Sequence, residues 1–359
     1  SLTASGNSAV LVDPHDGLAD LHARRLRVLG EHAYADDALR PLRLARLAAV
    51  LGFEPDTLTA DLTRKYAPFV TAAAAERIFA ELRGLVNCEG VLRGIELLDE
   101  LGLMAAVLPE LAALKGVEQS VYHHLDAYDH TIDVLRQLIE LQKDPGGFFG
   151  ADAGALAARL DEPLAEGLTR GQALRWAALL HDIAKRETRT VHAGGHVGFP
   201  GHDQRGEQIV RAICARLHAA ERFTRYVAAL TREHLRLGFL VKRQPLSRRE
   251  VYAYMRACEP VEVEVGVLSA ADRLATRGRK ADVAIEAHLG LARELNHAAL
   301  GWRAVRSAEP LIRGDRLVAE LGIEPGPRLG ELLERIAEER FVGELSTAEQ
   351  ALAFARTQL

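Results

Sequence analysis

The 359 residues predict a mainly α-helical protein with a short α/β element at the N-terminal end. Three observations carry that expectation. Apolar residues recur at helical spacing from Asp36 onward, as in Leu39, Leu42, Leu44, Ala45 and Ala48, with Arg40, Arg43 and Arg46 on another stripe. Alanine, leucine, arginine and glutamate, all strong helix formers, dominate. Strand-like alternation is nearly absent after residue 30. Its main exception is Val261-Glu-Val-Glu-Val265, and the segment that follows, Val267 to Leu274, reads as helix.

In chain order, Ala9 to Val12 is a short apolar stretch closed by a turn-like Asp13-Pro-His-Asp-Gly17, and a basic stretch follows at Arg24, Arg25 and Arg27. Helices are then expected throughout, with two interruptions. Asp144 to Gly167 is Gly/Ala-rich with Pro163, which predicts a surface insertion. Thr188 to Pro200 is a glycine-rich loop of a length that is often functional. The last part, from Pro310, is again helical, broken at Gly322 to Gly330.

Composition narrows the function classes. A hydrophobic fraction of 48% with 26% charge is ordinary for a protein with real cores. No apolar run approaches the ~20 residues that span a bilayer, so no membrane partner is expected. Cys88, Cys214 and Cys258 are scattered, without CxxC spacing, and predict buried thiols in a reducing, cytoplasmic compartment. A net charge of −5 gives no overall attraction to nucleic acid, so RNA binding would rest on local basic patches.

Nine of the fourteen histidines fall between residues 123 and 234. His130 has Val134 and Leu138 at successive i+4 positions. His181-Asp182 ends the apolar helix containing Trp176-Ala-Ala-Leu-Leu180. His234 follows Leu230, and Asp272 follows Leu268, each at i+4. Carboxylates and imidazoles on apolar faces are costly unless paired, and a metal would compensate that cost. Imidazole and carboxylate without thiolate suit Mn, Ni, Co, Fe, Zn or Mg. One or two such ions would polarise a phosphoryl oxygen and lower the pKa of a water. Lys185 is placed to meet a phosphate oxygen. His123, His124, His192 and His196 read equally as substrate contacts or as surface residues.

The ordered set H…HD…H…H…D, centred on His181-Asp-Ile-Ala-Lys185, resembles the HD superfamily of metal-dependent phosphohydrolases, with Ala184 where the family commonly has glycine. The resemblance implies that His130, His181, Asp182 and Asp272 hold a first divalent metal. It implies that His202, His234 and a bridging Asp182 hold a second. The implied catalytic residues are His181, Asp182 and Lys185, with Arg273 helping Lys185 to hold phosphate.

A second set of motifs covers the rest of the chain: Asp13 to Gly17, Asp20-Leu, Leu26-Arg-Val, Asp36-Asp37-Ala-Leu-Arg40, Arg43, Arg46, Leu51-Gly-Phe53, Ala75-Glu-Arg77-Ile78, Glu81-Leu82 and Gly322 to Gly330. In this order they resemble class II tRNA nucleotidyltransferases, the CCA-adding enzymes and their poly(A) polymerase relatives, many of which carry an HD domain. The organisation so implied is a head remnant over 1–30, a helical neck and body over 31–118, the HD domain over 119–285, and a helical tail over 286–359. Asp37 and Arg40 would read the Watson–Crick edges of incoming nucleotides, with Arg43 and Arg77 nearby. By spacing alone an intrahelical ion pair is the better reading, and only the flanking family resemblance points to nucleotide reading. Gly326 and Arg328 open a helix with Pro-Gly-Pro, which suits RNA-backbone contact or a plain turn.

The family's palm supplies a Gly-Ser loop and paired metal-binding carboxylates, and no GS…DxD arrangement occurs in these residues. Nucleotidyl transfer is therefore expected only with a separate or truncated head, or not at all in a descendant that kept the HD function. The expected activity is hydrolysis of nucleotide or RNA phosphoesters, such as 2′,3′-cyclic or terminal phosphates, with tRNA or another RNA 3′ end as partner. The alternative is an RNA-binding body of a split or truncated CCA-adding enzyme.

Overall fold

The computed structural model describes residues 2–5, 8–30, 32–119, 125–277 and 281–359. Helices dominate, as expected, and the strands among the described residues form four two-stranded ladders. The first ladder is a hairpin of Leu2–Ser5 and Ser8–Leu11, with Leu2 opposite Leu11. The second pairs Arg25–Leu26 in parallel with Glu54–Pro55, tying the N-terminal segment to the neck. The basic stretch has a local structural use: Arg25 and Arg27 both hold Asp20, each at 2.7 Å.

The neck is built on the helix Arg40–Leu51, which buries Leu42, Leu44, Ala45, Ala48 and Ala49. Its opposite stripe turns Arg43 and Arg46 onto Glu81 of the helix Ala75–Val86, at 3.0 and 2.5 Å. Glu81 is 8% exposed, so two guanidinium groups offset the cost of burying its charge.

Neck and histidine-rich region share one core. Phe79 of the neck meets Trp176 and Phe223 at ring-centroid distances of 5.5 and 5.4 Å. All three rings are nearly inaccessible, and one apolar cluster runs from Leu39 to Trp302. The tail has its own smaller core of Ile312, Leu317, Ile323, Leu332, Ile336, Ala351 and Ala355.

Two expectations are corrected. Val261-Glu-Val-Glu-Val265 is not a strand; Glu262–Ala275 is a helix. Alternation marks a strand only when one face is solvated, and here valines and glutamates alike are buried. The glutamates are tolerated because Arg159 and Arg170 reach Glu264, with Arg159 also 4.0 Å from Glu262. The backbone of this helix approaches the long helix Ala281–Ser307 so closely at Gly266 that a Cβ there would lie 1.8 Å from Asn296 Oδ1.

The Asp144–Gly167 segment is not a surface insertion. It forms the helices Pro145–Phe149 and Ala153–Leu160 and the strand Pro163–Ala165. Phe149, Leu156, Leu160 and Leu164 are buried in the main core. Glycine and alanine content masked an apolar spacing that is sufficient to pack.

Candidate metal centre and its cleft

Five helices bring the ligands together. Asp126 caps the helix Ala127–Lys143 by accepting the Asp129 N–H at 2.8 Å, which places His130 one turn inside and 1% exposed. A Thr169–Gln172 capping box starts the helix Arg170–Leu180, and His181-Asp182 follow at its C-terminal end. His202 opens the helix His202–Arg216, His234 closes Glu221–Glu233, and Asp272 projects from Glu262–Ala275. The helix ends at His181 and His234 carry the negative pole of the macrodipole, which favours a cation.

The six expected ligands converge. Asp182 Oδ2 lies 3.0 Å from His181 Nε2 and 3.6 Å from His130 Nε2, while Oδ1 lies 3.3 Å from His202 Nε2 and 3.7 Å from His234 Nε2. Asp272 Oδ1 is 3.0 Å from His130 Nε2. His130, His181 and Asp182 form one triad, and Asp182, His202 and His234 a second. Within each, the potential ligand atoms are all within 4.8 Å of one another.

The backbone sets the tautomers. His181, His202 and His234 each donate Nδ1–H to the carbonyl three residues earlier, of Ala178, Phe199 and Thr231, at 2.9, 2.8 and 2.7 Å. A carbonyl only accepts, so each of these imidazoles, when neutral, carries its lone pair on Nε2, aimed inward. His202 Nε2 and His234 Nε2 then face one another at 3.3 Å. Two lone pairs at that separation need a proton or a cation between them or beside them. Among the described residues, buried His181 Nε2 and Asp182 Oδ1 also lack a hydrogen-bond partner of good geometry. The donor set therefore fits a divalent metal.

Electrostatics favour a neutral His234 and charged carboxylates, while at His181 burial is outweighed by Asp182 and the imidazole is raised. Burial drives the His234 pKa down to about 4, so this imidazole is neutral near pH 7. Burial alone would raise Asp182, but His181 and Lys185 overcome it and hold the carboxyl well below its ordinary range. Asp272 is likewise lowered, burial being outweighed by His130.

A cleft of about 680 Å³ opens onto Asp182, His202, His234 and Asp272. Lys185 lines it but is not a free ammonium. Its Nζ lies 2.6 Å from Asp182 Oδ2 and 2.6 Å from Gln119 Oε1, with the Phe199 ring 5.3 Å away. Arg273 lines the cleft with a buried Nε that has no acceptor among the described residues. His288, Phe239 and Lys242 also line it and were missed in the sequence. No motif marks them, although Phe239 and Lys242 lie within eight residues of His234. His123 and His124 lie outside the described residues. His192 and His196 are exposed in the hairpin of Thr190–Val191 and Val197–Gly198.

The neck residues assemble differently from expectation. Asp37 and Arg40 do not share a helix, because Asp37 is extended at φ −146° ahead of the helix that Arg40 begins. Arg77 takes the Asp37 carboxylate at 2.8 Å and lowers its pKa. Arg40 instead donates to the Ala33 carbonyl at 2.8 Å, and Arg43 is committed to Glu81. In the tail, Gly326 precedes the helix Pro327–Val342 as expected, and Arg328 donates to the Leu359 carbonyl at 3.1 Å.

Comparison with known proteins bears on this geometry. The HD domain model matches residues 127–277, and a model described as the probable RNA and SrmB-binding site of polymerase A matches residues 52–115. The chain is 33% identical over 353 residues to an A-adding tRNA nucleotidyltransferase of Deinococcus radiodurans, covering 96% of this chain and 73% of that protein. It is 33% identical over 341 residues to a CC-adding tRNA nucleotidyltransferase of Thermus thermophilus, covering 93% and 70%. A multifunctional CCA protein of Alkalilimnicola ehrlichii is 34% identical over 239 residues, 65% of this chain and 50% of that protein. A CCA-adding enzyme solved with ATP superposes with a TM-score of 0.56 at 14% identity, over 97% of this chain and 66% of that one. The Thermotoga maritima CCA-adding enzyme solved with tRNA gives 0.53 at 15%, over 95% and 66%. These superpositions show the fold. Sequence kinship over nearly its whole length shows that the chain belongs to the tRNA nucleotidyltransferase family, as a member with an HD domain.

Proposed function

We propose that this chain is the neck, body and HD region of a tRNA-directed enzyme, and that its HD cluster hydrolyses phosphoesters at nucleotide or RNA ends, including 2′,3′-cyclic and terminal phosphates. One observation carries the reading: His202 and His234 bring their Nε2 atoms within 3.3 Å of each other beside Asp182, with each Nδ1 already bonded to a backbone carbonyl. A divalent ion bound there, Mn, Ni, Co, Fe, Zn or Mg, would polarise a phosphoryl oxygen and acidify a water. Asp182 serves both triads, so the reading allows one ion or two. Asp272 holds His130 in orientation. Arg273, and Lys185 on exchange of Gln119 for substrate, would balance phosphate charge along the cleft wall. A reducing, cytoplasmic setting belongs to this reading, and the three cysteines are free. No helix among the described residues is long and apolar enough to cross a membrane.

The test is metal content and turnover of full chain purified without chelator, then loaded with manganese or nickel and given adenosine 2′,3′-cyclic phosphate. Folded Asp182→Ala, which removes the carboxylate that serves both triads, should lose bound metal, and both it and folded His181→Ala should lose at least about 100-fold in turnover. Unchanged hydrolysis in His181→Ala rejects the assignment.

The match to the polymerase A RNA-binding model favours a second role that coexists with the first or replaces it. There the chain grips tRNA, and nucleotidyl transfer is done by a head outside these residues. Asp37 with Arg77, Arg40 and Arg43 would border the nucleotide, and Gly326 and Arg328 would meet the RNA backbone. Salt-sensitive tRNA binding without metal-dependent hydrolysis is the outcome that selects this role alone.

A further inference from the structure

The cleft has a second half that the ligand cluster does not use. Just beyond His234, the turn Arg236–Leu240 and the single 3-10 turn Val241–Arg243 form one wall. Leu237 is fully buried and anchors this wall, whereas Phe239, two residues on, is 73% exposed and lines the cleft. A solitary exposed phenylalanine on an open surface is ordinary. This one faces a concavity with a His/Asp floor and with Arg273, whose buried Nε lacks an acceptor among the described residues, on its lining. Lys242 makes no ion pair among the described residues and lines the same wall.

A ligand in the cleft is thus offered the His/Asp cluster, positive charge and an aromatic face together. The chemistry that uses all three is a phosphoester carrying a flat heterocycle on a short polar spacer. A volume of about 680 Å³ suits a ligand of that size. An aliphatic phosphoester would leave the ring unused. We infer that Phe239 is the base-stacking, specificity-determining residue of the HD cleft, with Arg273 and Lys242 spanning the phosphate and sugar, so that the site selects nucleoside phosphates or a terminal nucleotide of RNA. This rests on the hydrolase reading for its catalytic half only.

Two measurements on the metal-loaded full chain separate the two ideas. The first compares turnover of adenosine 2′-monophosphate with glycerol 2-phosphate. Phe239→Ala should lower the preference for the nucleotide about tenfold, mainly through KM, because stacking is worth that much per base, and Phe239→Trp should restore it. An unchanged preference overturns the inference. The second measures calorimetric binding of adenosine 2′-monophosphate against inorganic phosphate. A nucleotide preference that Phe239→Ala erases supports the inference even where neither compound is hydrolysed, and in that case only the hydrolase reading falls. Equal binding of both by the unaltered chain, or a preference that Phe239→Ala leaves intact, overturns the inference while hydrolysis stands.

Discussion

Asp182 faces two pairs of imidazoles with different oxygens, Oδ2 toward His130 and His181 and Oδ1 toward His202 and His234. Its substitution should therefore be felt by both triads. Asp182→Ala is expected to abolish all metal uptake, whereas His202→Gln should retain an ion at His130 and His181, as read by plasma mass spectrometry after loading and dialysis. Because the unfolded chain cannot reproduce the cluster, binding should also stabilise the fold. At about 100 times Kd the gain is ~2.7 kcal/mol, seen as a raised Tm that a chelator reverses and that Asp182→Ala lacks. The ligand residues were legible because imidazoles and carboxylates on apolar helix faces are chemically out of place. Gln119 and Phe239 were not, since neither type is unusual beside a helix end. Asp37 misled for another reason. Its three-residue spacing to Arg40 matches a helix, yet the backbone at Asp37 is extended and the partner is Arg77, forty positions away.

Among the elements, the helix Glu262–Ala275 was the hardest to read from sequence, and it carries Asp272. Its first turn is locked to the start of the His181 helix by Arg170, which bonds Glu264 and donates to the Pro260 carbonyl at 2.9 Å. Glu264 is wholly inaccessible, so the valine–glutamate alternation that mimics a strand is in fact the signature of a helix end buried on all sides. Glu264→Gln should cost about 3–5 kcal/mol, because it leaves the buried Arg170 guanidinium without its carboxylate and Arg159 with Glu162 as its near partner. Replacing the partners together, as Arg170→Met with Glu264→Leu, should recover part of that loss. Urea midpoints at constant m-value measure both. A single variant as stable as the parent would mean that this network does not fix the Asp272 helix.

For the molecule as a whole, the two apolar cores set the expected units of unfolding. Trp176→Ala, at 1% exposure, should cost about 3–5 kcal/mol and destabilise neck and HD region in one transition. Amide exchange in the helices after Pro310 should change less, since most of their buried apolar residues form the second core and only Ala337 and Phe341 pack against the first. A second seam between body and HD region is the Glu110–Arg216 pair, with Glu110 Oε2 2.9 Å from Arg216 Nη2. Burial would raise Glu110, but Arg216 prevails and lowers it. The stabilisation is complete above the ordinary carboxylate pKa of about 4.3 and is lost as pH falls through the lower folded value. Glu110→Gln should thus cost up to ~1 kcal/mol near pH 7, discounted for partial exposure, and should flatten the fall in Tm below about pH 5. The packing of Phe79 between Trp176 and Phe223 also bears on how such proteins are assembled over evolution. The HD region is no cassette that recombination can splice in or out, because its removal strips the neck of the rings that cover Phe79. A lineage that discards it must grow a new apolar cover for that helix, and one that acquires it must change both sides of the seam together.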